Sequence, residues 1–221
     1  MADIYLVRHA QSYNNALGES KRQADPPLTD LGKQQAARLI ESLESLPADH
    51  YFVSGFRRAL ETAAPFAAKH QHPFCIWRAI HEVGGCYEGR TGETKRAVPG
   101  MTPSDILSEF SWAAPEAGWT DGGWNSLTAH ETVKDAMPRV EKVAQTLLRD
   151  YAATDKRILL VTHGEFISLL IARLTGQGDP FFVRPRSIYN TAVSHLKLSP
   201  SSCQLHEFNR VCHLSRFELT S

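Results

Sequence analysis

Short apolar runs that alternate with amphipathic segments constrain this 221-residue chain more than any other feature. Residues 4–7, 51–53 and 157–162 are rich in β-branched and aromatic side chains, as buried strands are. Segments with apolar residues at helical spacing follow these runs, as in residues 56–67. Because strands alternate with helices, the chain predicts an α/β fold, a three-layer α/β/α sandwich with a mostly parallel central sheet.

Less regular patterns complete the predicted outline. Residues 74–80 predict a third strand, and residues 190–198 and 204–208 predict two more near the end of the chain. A helical period begins at Val133, but Pro138 should bend or break that helix early.

The segment 84–126 differs from the rest of the chain in its glycine, proline and tryptophan content. Connections of this length inside a domain are usually functional, and Trp112, Trp119 and Trp124 favour ordered packing. We therefore expect a single domain over residues 1–221, with 84–126 as an inserted lid.

The charge balance gives no reason to expect nucleic acid or a membrane as a partner, because 24 basic residues face 24 acidic ones. No stretch approaches the roughly 18 apolar residues of a membrane span, and the N-terminus lacks a signal-peptide pattern. The four cysteines show no zinc-ligand spacing. These features predict a cytoplasmic protein with reduced cysteines and no bound metal.

Polar residues follow the predicted strands at their carboxyl ends, which is where ligands bind in α/β sheets. Arg8 and His9 end the first strand, Ser54 precedes Arg58 after the second, and His163 ends the strongest. Two histidines and two arginines at one sheet edge would form a cationic pocket suited to a phosphoryl group. The helix that begins at Gly164 would add its free N–H groups.

Six short motifs occur in order along nearly the whole chain. They are Leu6-Val7-Arg8-His9-Ala10-Gln11-Ser12 with Asn15, Leu28-Thr29-Asp30-Leu31-Gly32-Lys33-Gln34-Gln35-Ala36, Ser54-Gly55-Phe56-Arg57-Arg58-Ala59-Leu60-Glu61-Thr62-Ala63, Glu131 with Asp135 and Arg139, Val161-Thr162-His163-Gly164, and Asn209 with His213-Leu214. Together they resemble the histidine phosphatase superfamily, also called phosphoglycerate-mutase-like. Two positions depart from its pattern, since Ala10 replaces a glycine and Gln11 replaces a glutamate.

The resemblance implies a metal-independent phosphatase without a cofactor, which passes a phosphoryl group through a phosphohistidine on His9. Neutral imidazole is a good nucleophile near pH 7, and neighbouring cations should keep His9 neutral. The resemblance implies that Arg8, Arg58 and His163 share the charge of the transferring group. It also gives Ser12, Asn15 and Gly164 as substrate-binding residues.

The general acid is implied to follow the third strand, where this chain has Glu82. The pattern after Glu82 is one residue short, which leaves Glu88 and Glu131 as alternatives. Glu88 is expected further out on the lid. Glu131 could be either a carboxylate at a helix N-terminus or a pocket residue.

Two other functions remain open beside hydrolysis of a small phosphorylated metabolite. A cofactor-dependent phosphoglycerate mutase would use the same residues, but only seven residues follow Leu214, too few to close a long C-terminal segment over the pocket. A non-catalytic regulatory relative would usually lack a nucleophile or an arginine, and none is missing here. The identity of the ester and the oligomeric state stay open, although Tyr87, Arg90, Lys95 and Arg96 could meet the rest of the substrate.

Overall fold

The computed structural model describes residues 1–17, 19–44, 47–90, 94–176 and 188–221. The strands are β1 (Ala2–Arg8), β2 (His50–Val53), β3 (Phe74–Ile76), β4 (Tyr87–Glu88), β5 (Arg96–Ala97), β6 (Ala113–Ala114), β7 (Arg157–Thr162), β8 (Val193–Ser199) and β9 (Ser202–Arg210). The helices are α1 (Tyr13–Ala16), α2 (Asp30–Glu44), α3 (Arg57–His70), α4 (Pro103–Glu109), α5 (Val133–Tyr151) and α6 (Gly164–Thr175). Among the described residues, no helix has both the length and the apolar character needed to cross a bilayer.

The central sheet has the strand order β6-β3-β2-β7-β1-β8-β9. Its strands from β6 to β1 are parallel, and β8 and β9 are antiparallel to their neighbours. The predicted fold class is therefore confirmed. Val161 of β7 pairs with Val7 on one side and Val53 on the other, so the carboxyl ends of these three strands are level.

The two faces of the sheet bury alternate residues of each strand, as the period of two requires. Tyr5 and Val7 belong to the core cluster that α2 and α3 cover, together with Leu39 and Leu60. Ile4 and Leu6 belong to the opposite cluster, which α5 and α6 cover. The sheet is thus a buried middle layer, and its loops at the carboxyl ends are left to form a site.

Two predicted strands extend too far, and a predicted helix break does not occur. The third strand ends at Ile76 and a one-turn 3₁₀ helix, Arg78–Ile80, follows it. Strand β8 begins only at Val193, because Asn190 and Thr191 form a turn. Helix α5 runs unbroken through Pro138, which is exposed, so that water can satisfy the carbonyl of Lys134 that loses its N–H donor.

The segment 84–126 contains the β4–β5 hairpin and α4, and it also supplies β6 to the edge of the central sheet. Strand β6 has only two residues, which is too few to produce a recognisable sequence pattern. Trp124 is 1% exposed and its ring centroid lies 4.3 Å from that of Phe56, which confirms the expected ordered packing. A Cβ at Gly55 would lie 2.5 Å from the Trp124 ring, so this contact requires glycine. Residues 91–93 of the segment lie outside the described residues.

A buried ion pair joins the start of α5 to the chain after β3. Arg139 donates to both carboxylate oxygens of Glu131, at 3.1 and 2.5 Å. The same guanidinium donates to the carbonyls of Ala79 and His81, at 2.8 and 2.9 Å. The spacing of Glu131 and Arg139 in the sequence thus corresponds to a contact that fixes the backbone just before Glu82.

We predict that Arg139→Leu lowers the free energy of unfolding by about 3–5 kcal/mol, because it leaves the buried Glu131 carboxylate without its cation. Arg149→Leu is the control on the same helix, since its ion pair with Asp150 is exposed and should contribute no more than about 1 kcal/mol. Urea denaturation of the three proteins measures both losses. Similar losses in the two variants would contradict the prediction.

Candidate active site

The ends of β1, β2 and β7 bring the sequence-predicted cationic residues to one place. The N–H of His9 donates to the carbonyl of Thr162 at 2.8 Å, and the N–H of Ser54 donates to that of Val161 at 3.0 Å. These bonds continue the sheet pairing past the strands. His163 is the N-cap of α6, and its ring centroid lies 5.1 Å from that of His9.

His9 is held as a neutral imidazole with a defined tautomer. Its Nδ1 lies 2.7 Å from the carbonyl oxygen of Ala10, which can only accept, so Nδ1 carries the proton. Its Nε2 accepts from Nε of Arg58 at 3.2 Å. Burial, and then the charges of Arg58 and Arg8, hold the pKa of His9 well below its usual value of 6.5. The lone pair therefore lies on Nε2, on the side of the ring that faces Arg58.

Arg58 and Arg57 point in different directions, as neighbours about 100° apart on a helix must. Arg58 is 8% exposed, and its guanidinium lies 3.8 Å above the ring centroid of Phe56. Arg57 instead donates to both carboxylate oxygens of Glu109 on α4, at 2.5 and 2.8 Å. The structure thus brings Arg58 to His9, and Arg57 links α3 to α4.

Within the described structure, one guanidinium N–H group of Arg8 donates a hydrogen bond and another has no acceptor. Its NH1 donates to the carbonyl of Ile188, while its buried Nε has no partner. A Cβ at Gly164 would lie only 3.2 Å from that Nε, so the glycine leaves room beside the guanidinium. Burial lowers the pKa of Arg8, and the charge of Glu82 opposes this shift.

His163 is fully buried beside Ser54. Its Nε2 lies 2.8 Å from Oγ of Ser54, whereas its Nδ1 is buried without a partner among the described residues. Burial and then the charge of Arg58 lower its pKa well below 6.5. A neutral His163 has one ring nitrogen fixed by Ser54 and the other left for a ligand.

The three candidate carboxylates lie in different surroundings. Glu82 caps α6, because its Oε1 accepts from the N–H of Phe166 at 3.1 Å, and its charge acts on both Arg8 and Arg58. Glu131 is occupied by Arg139. Glu88 forms an exposed ion pair with Arg96 on the β4–β5 hairpin. Of the three, Glu82 is the one beside the catalytic candidates.

Ser12 and Asn15 contact each other. Oδ1 of Asn15 accepts from the N–H and the Oγ of Ser12, both at 3.0 Å, and this pair caps α1. With Oδ1 so occupied, the Nδ2 amide is the part of Asn15 that remains to donate to a ligand.

Sequence reasoning missed two residues that support the site. Nδ2 of Asn190 donates to the carbonyl of His9 at 2.9 Å, although the sequence pattern put Asn190 inside a strand. Asp25 lies in a polar loop, where no local pattern sets it apart. Its Oδ1 accepts from the N–H of Arg57 at 2.9 Å, and its charge acts on Arg58. Burial raises the pKa of Asp25 to about 6, although Arg58 lowers it.

Sequence comparison identifies related proteins along most of the chain. The model of the histidine phosphatase superfamily (branch 1) matches residues 4–211. The glucosyl-3-phosphoglycerate phosphatase of Mycolicibacterium vanbaalenii is 30% identical over 176 residues, which are 78% of this chain and 74% of that protein. A protein of an Enterobacter species named "Probable phosphoglycerate mutase GpmB" is 26% identical over 212 residues, 91% of this chain and 87% of that one.

Comparison with solved structures gives the same fold. A phosphoserine phosphatase mutant from Entamoeba histolytica, in complex with phosphoserine, superposes with a TM-score of 0.66. The match covers 97% of this chain and all of that one, at 23% sequence identity. At this level of identity the likeness concerns the fold alone.

We predict that His9 is neutral at pH 6 and that Arg58→Gln raises its pKa, since loss of a nearby positive charge favours the imidazolium. ¹⁵N NMR of the ring nitrogens, titrated from pH 8 to pH 5, measures the effect. Arg57→Gln is the matched control and should leave the His9 titration unchanged. An imidazolium at pH 6 in the unaltered protein, or equal shifts in both variants, would contradict the assignment.

Proposed function

The chain belongs to the histidine phosphatase superfamily, and from this premise we propose that it hydrolyses small phosphomonoesters through a phosphohistidine on His9. The observation that carries the proposal is the state of His9. It is a neutral imidazole whose proton lies on Nδ1 and whose Nε2 accepts a hydrogen bond from the Arg58 guanidinium. Fixed positive charge around a neutral nucleophile suits phosphoryl transfer, which depends on positioning and electrostatic stabilisation.

In the first step Nε2 of His9 attacks phosphorus, an N–P bond forms and the bond from phosphorus to the ester oxygen breaks. Nε of Arg58 leaves His9 and donates to a phosphoryl oxygen instead. Nε of Arg8 and Nδ1 of His163 donate to the same group, a role supported by their lack of a partner among the described residues. These donors stabilise the charge of the transition state more than that of the free ester.

Glu82, in its protonated form, gives its proton to the leaving oxygen, so the alcohol departs neutral. In the second step the Glu82 carboxylate takes a proton from water as the water oxygen attacks phosphorus. The N–P bond then breaks, inorganic phosphate leaves and His9 is neutral again. The support for this role is that the charge of Glu82 acts on Arg8 and Arg58, while Glu88 and Glu131 are paired elsewhere.

The remaining roles follow from the same geometry. Asn15, through Nδ2, and the N–H of Gly164 at the start of α6 bind the phosphoryl oxygens, since Glu82 accepts from the N–H groups of Glu165 and Phe166. Ser12 orients Asn15. The chain acts as one domain in which 84–126 is the lid, supported by the contacts of Trp124 with Phe56 and of Arg57 with Glu109. All four cysteines lie in the described part of the chain and are free thiols, which supports a reducing cytoplasmic location.

Phosphoglycerate mutase activity is the second candidate, favoured by the similarity to the Enterobacter protein over 91% of this chain. A mutase would use the same phosphohistidine but return the phosphoryl group to a substrate hydroxyl instead of water. Incubation with ³²P-labelled 3-phosphoglycerate distinguishes the two, because hydrolysis yields free phosphate and a mutase yields the isomeric ester.

We predict that protein denatured at alkaline pH during turnover carries ³²P that is lost in acid and retained in base, as a phosphoramidate is, and that His9→Ala carries none. The same variant should release no phosphate from a phosphomonoester panel. Rapid quench followed by acid and base treatment of the labelled protein measures both properties. Label that survives acid would assign the nucleophile to a hydroxyl or another group.

We predict that Glu82→Gln slows hydrolysis of alkyl phosphates by about 10²–10⁴-fold while p-nitrophenyl phosphate is largely spared, because its leaving oxygen needs no proton. Glu88→Gln is the control, since its ion pair with Arg96 is exposed. The measurement is kcat/KM for both esters. If Glu82→Gln slows both equally, the general acid is another residue.

A further inference from the structure

A cavity of about 440 Å³ lies beside α5, apart from the phosphoryl pocket. Residues from 77–81, from 116–126 and from α5 line it, and none of the catalytic candidates is among them. Its volume falls within the range of small-molecule binding sites, roughly 300–1,000 Å³. We call it the α5 cavity.

Two indole rings give the α5 cavity apolar walls. Trp124 is 1% exposed and forms the inner wall, while Trp77 is half-buried and lies nearer to the mouth. Trp77 packs on Phe52 with ring centroids 5.1 Å apart, and Trp124 packs on Phe56 at 4.3 Å, so both rings are held in place. Indole rings of fixed orientation favour an aromatic ligand, which can stack on one face or meet it by its edge.

His81 brings a buried hydrogen-bond acceptor to the wall of the cavity. The side chain is 6% exposed, and its Nδ1 lies 2.8 Å from the carbonyl oxygen of Arg78, so Nδ1 carries the proton. Burial, and then the charge of Arg139, lower the pKa of His81 to about 3, so the ring is neutral and its lone pair is on Nε2. That nitrogen has no hydrogen-bond partner among the described residues, and the Glu131 carboxylate 3.7 Å away can only accept. The group that complements Nε2 is therefore a donor, such as the N–H of a ligand.

Lys142 gives the α5 cavity its unneutralised positive charge. Three lysine or arginine side chains line the cavity, and two of them are paired with carboxylates, Arg78 with Glu116 and Arg139 with Glu131. Lys142 is exposed and has no carboxylate partner within the part of the chain that is described. The open side of the cavity therefore has an excess of one positive charge, which favours a ligand with a single negative charge.

We propose that the α5 cavity is a binding site for a small aromatic anion that carries an N–H group. The ring lies against Trp77 and Trp124, the N–H donates to Nε2 of His81, and the anionic group contacts Lys142 at the mouth. The site is distinct from the phosphoryl pocket, and the inference does not depend on the proposed hydrolysis. Trp124 joins the two regions, because its partner Phe56 also contacts the guanidinium of Arg58.

The test uses indole-3-acetate as the probe, with two compounds that each lack one of its groups. Indole-3-acetamide has no charge, and 1-naphthaleneacetate has no N–H group. Calorimetry should show that indole-3-acetate binds about tenfold more tightly than the acetamide, the effect of one charge-assisted contact. It should bind about three- to tenfold more tightly than the naphthalene compound, the effect of one neutral hydrogen bond. The ¹⁵N signal of His81 Nε2 should shift on binding, because its lone pair then accepts a hydrogen bond.

Substitutions assign each contact to its residue. Lys142→Gln should weaken binding of indole-3-acetate about tenfold and leave that of indole-3-acetamide unchanged, the effect of losing one charge-assisted contact. Lys134→Gln, elsewhere on α5, should change neither. His81→Phe should remove the preference for indole-3-acetate over 1-naphthaleneacetate. Arg58→Gln should leave binding of all three compounds largely unchanged, because Arg58 lies in the phosphoryl pocket and does not line the α5 cavity.

Absence of indole-3-acetate binding, or equal binding to Lys142→Gln and the unaltered protein, overturns the site. A loss of binding in Arg58→Gln that Lys142→Gln does not show would place the probe in the phosphoryl pocket and overturns it as well. Because Lys142 is exposed, its substitution leaves the core intact, and the test decides the matter even if His81→Phe does not fold. Release of phosphate from esters by the same proteins tests the proposed hydrolase function separately.

Discussion

The collection of positive charge at the carboxyl ends of β1, β2 and β7 is the constraint on which the site depends. Two guanidinium groups are buried beside two imidazoles, and burial of like charges is unfavourable unless something compensates. One consequence is that His9 and His163 stay neutral, because protonation would add further charge to the same space. The repulsion that makes the assembly of this sheet edge unfavourable therefore also keeps His9 neutral.

The positive charges of Arg8 and Arg58 are only partly offset by negative charges and hydrogen-bond acceptors of the fold. Asp25 and Glu82 act on Arg58 at longer range, while backbone carbonyls such as that of Ile188 accept from Arg8. Nε of Arg8 and Nδ1 of His163 remain buried without partners among the described residues. A tetrahedral dianion supplies acceptors for such donors, so the free protein is preorganised for the charge that develops during phosphoryl transfer.

The segment 84–126 contacts the elements that form the pocket. Trp124 packs on Phe56, whose ring in turn contacts the guanidinium of Arg58, so the segment 84–126 and Arg58 share one aromatic contact. Arg57, the neighbour of Arg58, holds α4 through Glu109. One helical turn of α3 thus serves both the phosphoryl site and the segment 84–126.

The sequence by itself determined the α/β class and the strand ends that carry Arg8, His9 and His163, because periodicity and short motifs are local properties of the chain. The tertiary structure alone decided what these residues contact. The tautomer of His9, the carboxylate of Asp25 near Arg58, the amide of Asn190 on the His9 carbonyl and the ring of Trp124 beside His81 all join residues from separate elements. Nor could the pattern foresee that Pro138 would lie on an exposed face of α5, where water can replace the lost hydrogen bond. Such contacts depend on how the elements pack, and no local spacing encodes that packing.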